Sequence, residues 1–469
     1  MSTIKTRHPA YDSYAPYWRL MRDAFDGEDA IKRAGPAYLP MKSGHLALDG
    51  TEQERAYDAY RTRAEFPEIV APTVRGAVGV ILGKPAKFEL PASMEHLRER
   101  ATLDGQTLDV LHRRIALEVM TVGRYGLLPS LVDGVPYLAG YTAESIINWD
   151  ATAGEADFVV LDESGWVRDR VSNSWNEVEK YRECVIDGGR FVSRVHTMGG
   201  GVVEDDEART PRGRALDFLP FVFVGSLDLT PEPDDVPLYG LAKLAVRAYR
   251  LDADRTWALH MTSEPTPWVN GFNDAQQAAE DGLLPQGLGS AALWVLPEGA
   301  EAGYLEFSGP GLSAQAAAID DTLDRAAQFG AQVIQQGSSA ESGEALKLRA
   351  ASQTATLTTI SQTVAAGLER ALRNIAIWTG ANPDEVIVTP NLDFFDRKLS
   401  ADEARAVWEG WQSGVYDWRS AVEKLKTGGW LSEDADPDEI EAALKSEDDG
   451  EDEMAALMPQ QRAEGAPTN

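Results

Sequence analysis

The chain carries six histidines, one cysteine, 75 acidic residues and several glycine-rich turns, the raw material of most catalytic sites. A phosphate-binding loop needs glycine five residues before its Gly-Lys pair and a hydroxyl after the lysine for magnesium. The nearest candidate, Gly76–Pro85, has Val78 and Pro85 at those places, so it reads as the end of a helix. His8, His45, His96, His112, His196 and His260 never fall at a metal-ligand spacing. The single Cys184 rules out an intramolecular disulfide or a thiolate zinc cage. Carboxylate pairs such as Asp234-Asp235 and Asp320-Asp321 arise readily in so acidic a chain, and a glycosidase would need them to converge in a cleft. No G-x-S-x-G elbow occurs, and Gly199-Gly200-Gly201 reads as a hairpin tip. The twelve tryptophans are scattered as core and interface anchors would be. No catalytic residue, metal or cofactor is expected.

Apolar periodicity sets these residues on elements. Helical spacing runs through Asp12–Asp23, Thr51–Ala64, Ile69–Leu82 and Leu108–Val122, with Thr51-Glu-Gln-Glu54 as a capping box. Strand-like segments follow: a hairpin over 126–138 turning at Asp133-Gly134, then Trp166–Val171, Tyr181–Ile186, Arg190–His196 and a buried Leu219–Val224. The acidic, proline-rich Asp228–Pro237 breaks the pattern. Beyond it Leu238–Thr262 is a helix of about 37 Å, striped by Leu241, Leu244, Ala248, Leu251 and Leu259. Short strands at 267–269, 292–296 and 303–307 lead to a second long helix, Leu312–Gln335, with Ser313 as its cap and Ile319 and Leu323 on its stripe. After a polar link, Gly337–Gly343, a third long helix spans Glu344–Thr379, with Leu346, Leu357, Ile360, Val364, Leu368, Leu372 and Ile375 in line. A strand at Glu385–Val388 and short helices at Ser400–Trp411, Asp417–Leu425 and Asp438–Leu444 close the pattern. Helices first and an antiparallel sheet after predict an α+β fold. Rods this long bury too little alone to offset the entropy of ordering them, so they need flanking partners.

Composition narrows the class. The 469 residues are 43% hydrophobic and 25% charged, enough for several packed cores. The opening MSTIKTRHPAYDSYAPYWRL lacks the apolar centre of a secretory signal, and no run approaches about eighteen uncharged apolar residues, so no membrane span is expected. The net charge of −31 repels polyanions and argues against a protein that grips DNA by neutralising phosphates, which needs clustered Lys and Arg. Between Glu433 and Glu453 about a dozen carboxylates face only Lys445, which reads as a solvated acidic tail, disordered over 446–469.

Two stretches carry a resemblance. Glu118-Val-Met-Thr-Val-Gly-Arg-Tyr-Gly-Leu-Leu-Pro and Val135-Pro-Tyr-Leu-Ala-Gly-Tyr-Thr-Ala-Glu-Ser-Ile-Ile-Asn-Trp149 resemble the tailed-bacteriophage portal (head–tail connector) family, in which a helix leads to Gly-Arg-x-Gly-x-Leu and then to Tyr-x-x-Glu-x-Ile-x-Asn-Trp. The order after Leu219-Pro220-Phe221-Val222 is similar too: acidic loop, long helix, short β module, long helix, then Ser342-Gly-Glu-Ala-Leu-Lys347. The likeness covers about residues 60–445 and departs at Pro129, which interrupts an expected strand.

The resemblance implies a portal-like α+β fold: an antiparallel-sheet wing (1–237, with 381–399 returning to it), stem helices 238–262 and 311–336, a β-containing clip at 263–310, a tunnel loop and tunnel-lining helix at 337–380, and a helical crown at 400–445. It implies a dodecameric ring of this chain at the capsid vertex, assembled in the host cytoplasm, through which double-stranded DNA passes without sequence-specific contacts. Its partners would be the terminase large subunit, a head–tail adaptor and the major capsid or scaffolding protein. Ser342, Gly343, Glu344, Lys347 and Arg349 would face the tunnel. Leu241, Leu244, Ala248, Leu251, Ile319 and Leu323 would pack between copies, and Trp268, Trp294 and Tyr304 would dock partners at the clip. A predominantly acidic wall would keep DNA centred. The alternatives are a connector protein without a channel, and an acidic hydrolase.

Overall fold

Helix α1 (Pro9–Asp26) starts where the His8 ring accepts a hydrogen bond from the Ala10 amide, with proline in its first turn. The computed structural model that shows this describes residues 4–132, 134–152, 154–197, 201–204, 216–263, 266–272, 274–280, 282, 294–305, 310–334, 343–392, 394, 399, 401–431, 435–440 and 442. The chain divides into two compact units, Met1–Leu392 and Asp393–Asn469.

In the first unit α2 (Glu28–Ala34), α3 (Ser43–Leu46), α4 (Gly50–Arg63) and α5 (Val70–Ile81) follow α1. α4 begins at Gly50 behind Asp49, with no side-chain cap bond, so the expected capping box does not form: Thr51 already lies within the first turn. Strand β1 (Lys87–Glu89) precedes α6 (Leu108–Val122), whose bounds match the apolar period. Thr107 accepts the Val110 amide at its start. Gly123, at φ 76°, ends it in the left-handed region that a side chain resists.

The strands that follow are β2 (Arg124–Val132), β3 (Val135–Thr142), β4 (Ile146–Thr152), β5 (Glu155–Asp162), β6 (Gly165–Arg168), β7 (Trp175–Val178), β8 (Lys180–Asp187), β9 (Arg190–Thr197), β10 (Gly201–Glu204) and β11 (Val222–Gly225). They form antiparallel sheets ordered β11-β2-β3 and β10-β9-β8-β5-β4, with β6-β7 as a separate ribbon. Pro129 does not interrupt β2, since its register with Leu138 of β3 is kept. The β4–β5 hairpin goes unseen in the sequence. β5 is a continuous apolar run, Phe158–Leu161, and register shifts interrupt β4, so neither alternates cleanly.

Helix α7 (Tyr239–Ser263), strand β12 (Thr266–Asn270), helix α8 (Ala275–Glu280), strand β13 (Glu301–Leu305) and helix α9 (Pro310–Ile334) form one excursion. α9 starts at Pro310, so Ser313 lies inside the helix and is not its cap. Helix α10 (Gly343–Thr379) then runs through the core: Leu357, Ile360, Val364, Leu368, Leu372 and Ile375 are fully buried, against α6, β2 and β11. Burying each such side chain stabilises the fold by about 1.5–3 kcal/mol. The partners expected for this rod are therefore supplied by its own chain. Strand β14 (Ile387–Thr389) pairs back onto β1. The fold is thus α+β with antiparallel sheets, as the pattern predicts.

In the second unit, α11 (Ala401–Gln412) and α12 (Trp418–Thr427) pack through Trp408, Trp411 and Trp418, the last two with ring centres 4.8 Å apart. Asp417 caps α12 by accepting the Ser420 amide. Residues 437–440 and 442 are helical, and the acidic stretch 443–469 lies outside the described residues.

Candidate assembly surface

The α7–α9 pair is a helical hairpin whose base and outer end differ in environment. Gly240, near the start of α7, faces the Phe329 ring near the end of α9, so the helices run antiparallel. At the base, Tyr17 of α1 lies against Tyr239 with ring centres 4.7 Å apart, and Gly330 approaches Thr73 of α5. Leu241, Ala242, Ala245, Ala248, Tyr249 and Ala253 are buried there. Burial then stops. Among the described residues of Asp254–Ser263 and of 311–321, none is buried. Each helix is about 37 Å long, so nearly half of the rod has its apolar groups only partly covered. What covers them is the end of α4, where Arg63 stacks over Trp257 and meets His260.

The outer end carries a ribbon, β12 paired with β13. Trp268 lies across from Gly303, and a Cβ on that glycine would sit 3.1 Å from the indole. Tyr304 stands opposite Pro267, on the other face of the ribbon. Both aromatics are exposed, Tyr304 by half, and they share this end with exposed Leu259, Val295 and Met261, the last 55% exposed. Trp294 is half-buried, and Trp294–Leu296 form no strand.

The residues expected between copies divide into two groups. Leu241 and Ala248 are buried within their own chain, at the base of the hairpin, where α7 packs against α1 and α4 and α9 against α5. Leu244, Leu251, Ile319 and Leu323 are half-buried. Of the expected tunnel residues, Ser342 lies outside the described residues. Gly343, Glu344, Lys347 and Arg349 fall in the first turns of α10, and their side chains also lie outside the described residues.

The structure brings together side chains whose alliance sequence reasoning missed. Arg124, buried at the start of β2, lies between Trp149 of β4 and Phe223 of β11, 4.3 and 4.7 Å from the ring centres, and donates to the Pro231 carbonyl at 2.6 Å. Burial pushes its pKa down while Glu232 and Asp234 oppose that. A Cβ on Gly123 would fall 2.8 Å from the Asp235 carbonyl oxygen, so only glycine lets the chain pass there. Nearby, Arg22 of α1 bridges Glu118 of α6 at 2.6 Å and Glu144 at 2.8 Å. Burial disfavours its charge, but the hydrogen bonds to Glu144 and Glu118 prevail and raise its pKa. Glu118, Gly123, Arg124, Glu144 and Trp149 all belong to the two motif stretches. Their spacing was the signal: Arg22 joins α1 to α6 and to the segment before β4, while Gly123 and Arg124 hold the loop at 231–235 that leads into α7.

Among the described residues no group of three or more His, Cys, Asp or Glu side chains is placed to hold a metal ion, and no helix is long and apolar enough to cross a membrane. An open groove of about 450 Å³ lies between His96, Leu103, Val132 and Val135.

A family model described as "Domain of unknown function (DUF4055)" matches residues 237–379, the stretch from the acidic loop to the end of α10. No curated protein matches the chain. Among solved structures the chain is similar to a chain in the neck of a native GTA particle with C12 symmetry, at 16% identity and a TM-score of 0.38, over 76% of this chain and 88% of that one. It is also similar to a chain in the neck of an empty GTA particle with C6 symmetry, at 15% identity and a TM-score of 0.36, over 80% and 91%. At these TM-scores neither likeness bears on function.

Proposed function

We propose that this chain is a structural subunit of a phage-type head–tail connector, in the role of a portal: copies close into a ring, dodecameric by the motif resemblance, around a channel for double-stranded DNA. The observation that carries the reading is the outer half of the α7–α9 hairpin. It is a two-helix rod without a buried residue among those described, ending in exposed Leu259, Met261, Trp268, Val295 and Tyr304. A rod of this kind gains stability when copies stand beside it. The net charge of −31 fits a wall that DNA slides past without being held.

In this reading residues 1–237 with 381–399 are the wing, which meets the major capsid or scaffolding protein. Helices 238–262 and 311–336 are the stem. The clip, 263–310, meets the terminase large subunit and later the adaptor through Trp268, Trp294 and Tyr304. Ser342, Gly343, Glu344, Lys347 and Arg349 stand at the tunnel, and 400–445 form the crown within the virion. Electron microscopy of the purified chain tests the proposal. Closed rings with a central hole are expected, and a protein that stays monomeric at high concentration would overturn it. A ring whose hole is too narrow for duplex DNA would leave a connector without a channel as the better reading.

A further inference from the structure

The α7–α9 hairpin carries two unpaired charge rows of opposite sign. On α7, Lys243 and Arg247 are exposed and have no carboxylate at ion-pair distance among the described residues; Lys243 lies over the Tyr239 ring and Arg247 points to solvent. The next two members of that face are already engaged. Arg250 donates to the Tyr38 carbonyl, and Asp254 takes Lys42 and Tyr60. On α9, Asp320 and Asp324 are exposed and likewise unpaired, while their neighbour Asp321 holds Arg325 at 2.9 Å. In both rows the members are four residues apart, about 6 Å along the axis at 1.5 Å per residue.

Their heights along the hairpin also match. Gly240 is level with Phe329. Because the helices are antiparallel, moving three and seven residues along α7 to Lys243 and Arg247 corresponds to moving back three and seven along α9, to Ala326 and Thr322. Asp324 and Asp320 each lie two residues from those levels, about 3 Å. Rotation about a ring axis keeps a residue's height along that axis. If the hairpins stand along the axis, α7 of one copy and α9 of the next present these rows to each other without a shift in register.

We propose that a second copy of this chain docks here, Lys243 and Arg247 of α7 pairing with Asp324 and Asp320 of the neighbour's α9, so that one contact repeated head to tail closes the ring. This rests on the ring reading above and names the surfaces that make the ring. The two faces differ, so the contact is heterologous, the kind that generates rings when its rotation closes. An exposed ion pair is weak singly, but two matched pairs recur at every interface, and reversing one row sets like charges against each other.

The test is charge reversal in the full chain, read as the concentration at which rings form half of the protein. Lys243→Asp with Arg247→Asp, and separately Asp320→Lys with Asp324→Lys, should each raise that concentration by about tenfold or more, one factor of ten being 1.4 kcal/mol. The fourfold variant should return it to within about threefold of the natural chain. Melting of the dissociated variants should be unchanged, since all four side chains are exposed. Reversed rows that leave ring formation unaltered, or a fourfold variant that fails to restore it, would overturn this pairing while the natural chain's rings kept the connector reading. Absence of rings from the natural chain would sink both.

Discussion

Arg124 and His112 show what burial does to single residues here. Arg124 keeps its place because two aromatic faces and one carbonyl receive a planar cation, a fit that lysine would not reproduce. His112, on α6, is buried edge-on to Phe88, with no hydrogen-bond partner for Nε2, and burial pushes its pKa down to about 4. The unfolded chain binds this proton at an ordinary pKa of about 6.5. Between those values the unfolded state holds more protons than the folded one. The fold is therefore at full strength above about pH 6.5 and loses up to about 3 kcal/mol as pH falls toward 4. A His112→Leu variant should lose less melting temperature than the natural chain over that interval; equal losses would mean that His112 is not the group responsible.

At the scale of elements, α10 and the α7–α9 hairpin look alike in sequence and end differently. Both are long stripes of leucine, isoleucine and alanine. α10 has α6, β2 and β11 around it, so its stripe becomes the core of the first unit. The hairpin has such neighbours only at its base. Leu259 and Met261, near the outer end of α7, are exposed and carry no fold of their own. Changing both to aspartate should alter the melting of the isolated subunit by less than about 0.5 kcal/mol, yet impair ring formation or partner binding at that end. Unchanged assembly in pull-down and microscopy would show that this end faces solvent in the particle. Heights and faces of this kind cannot be read from periodicity, which shows that a stripe exists and not what covers it.

For the molecule as a whole, the excess of 75 acidic over 44 basic residues makes any cation facing DNA consequential. In the proposed ring Lys347 and Arg349 stand at the tunnel. Exchanging both for glutamate should leave rings intact and lower the DNA packaged per particle, measured by particle density or nuclease-protected DNA. Normal packaging would remove those two residues from the tunnel.

Sequence alone determined the α+β class, the bounds of α6, α7 and α10 to within a residue or two, and the motif stretches around Gly123, Arg124 and Trp149. Local periodicity, caps and turn chemistry act over a few residues and are written in order along the chain. Tertiary structure alone decided that Leu241 and Ala248 belong to the chain's own core, that the β4–β5 hairpin exists, and that Arg124, Trp149 and Phe223 share one site. Those outcomes depend on which surfaces meet, from the register of neighbouring strands to the packing of α7 on α1 more than two hundred residues away, and burial, unlike periodicity, is a property of the pair that meets.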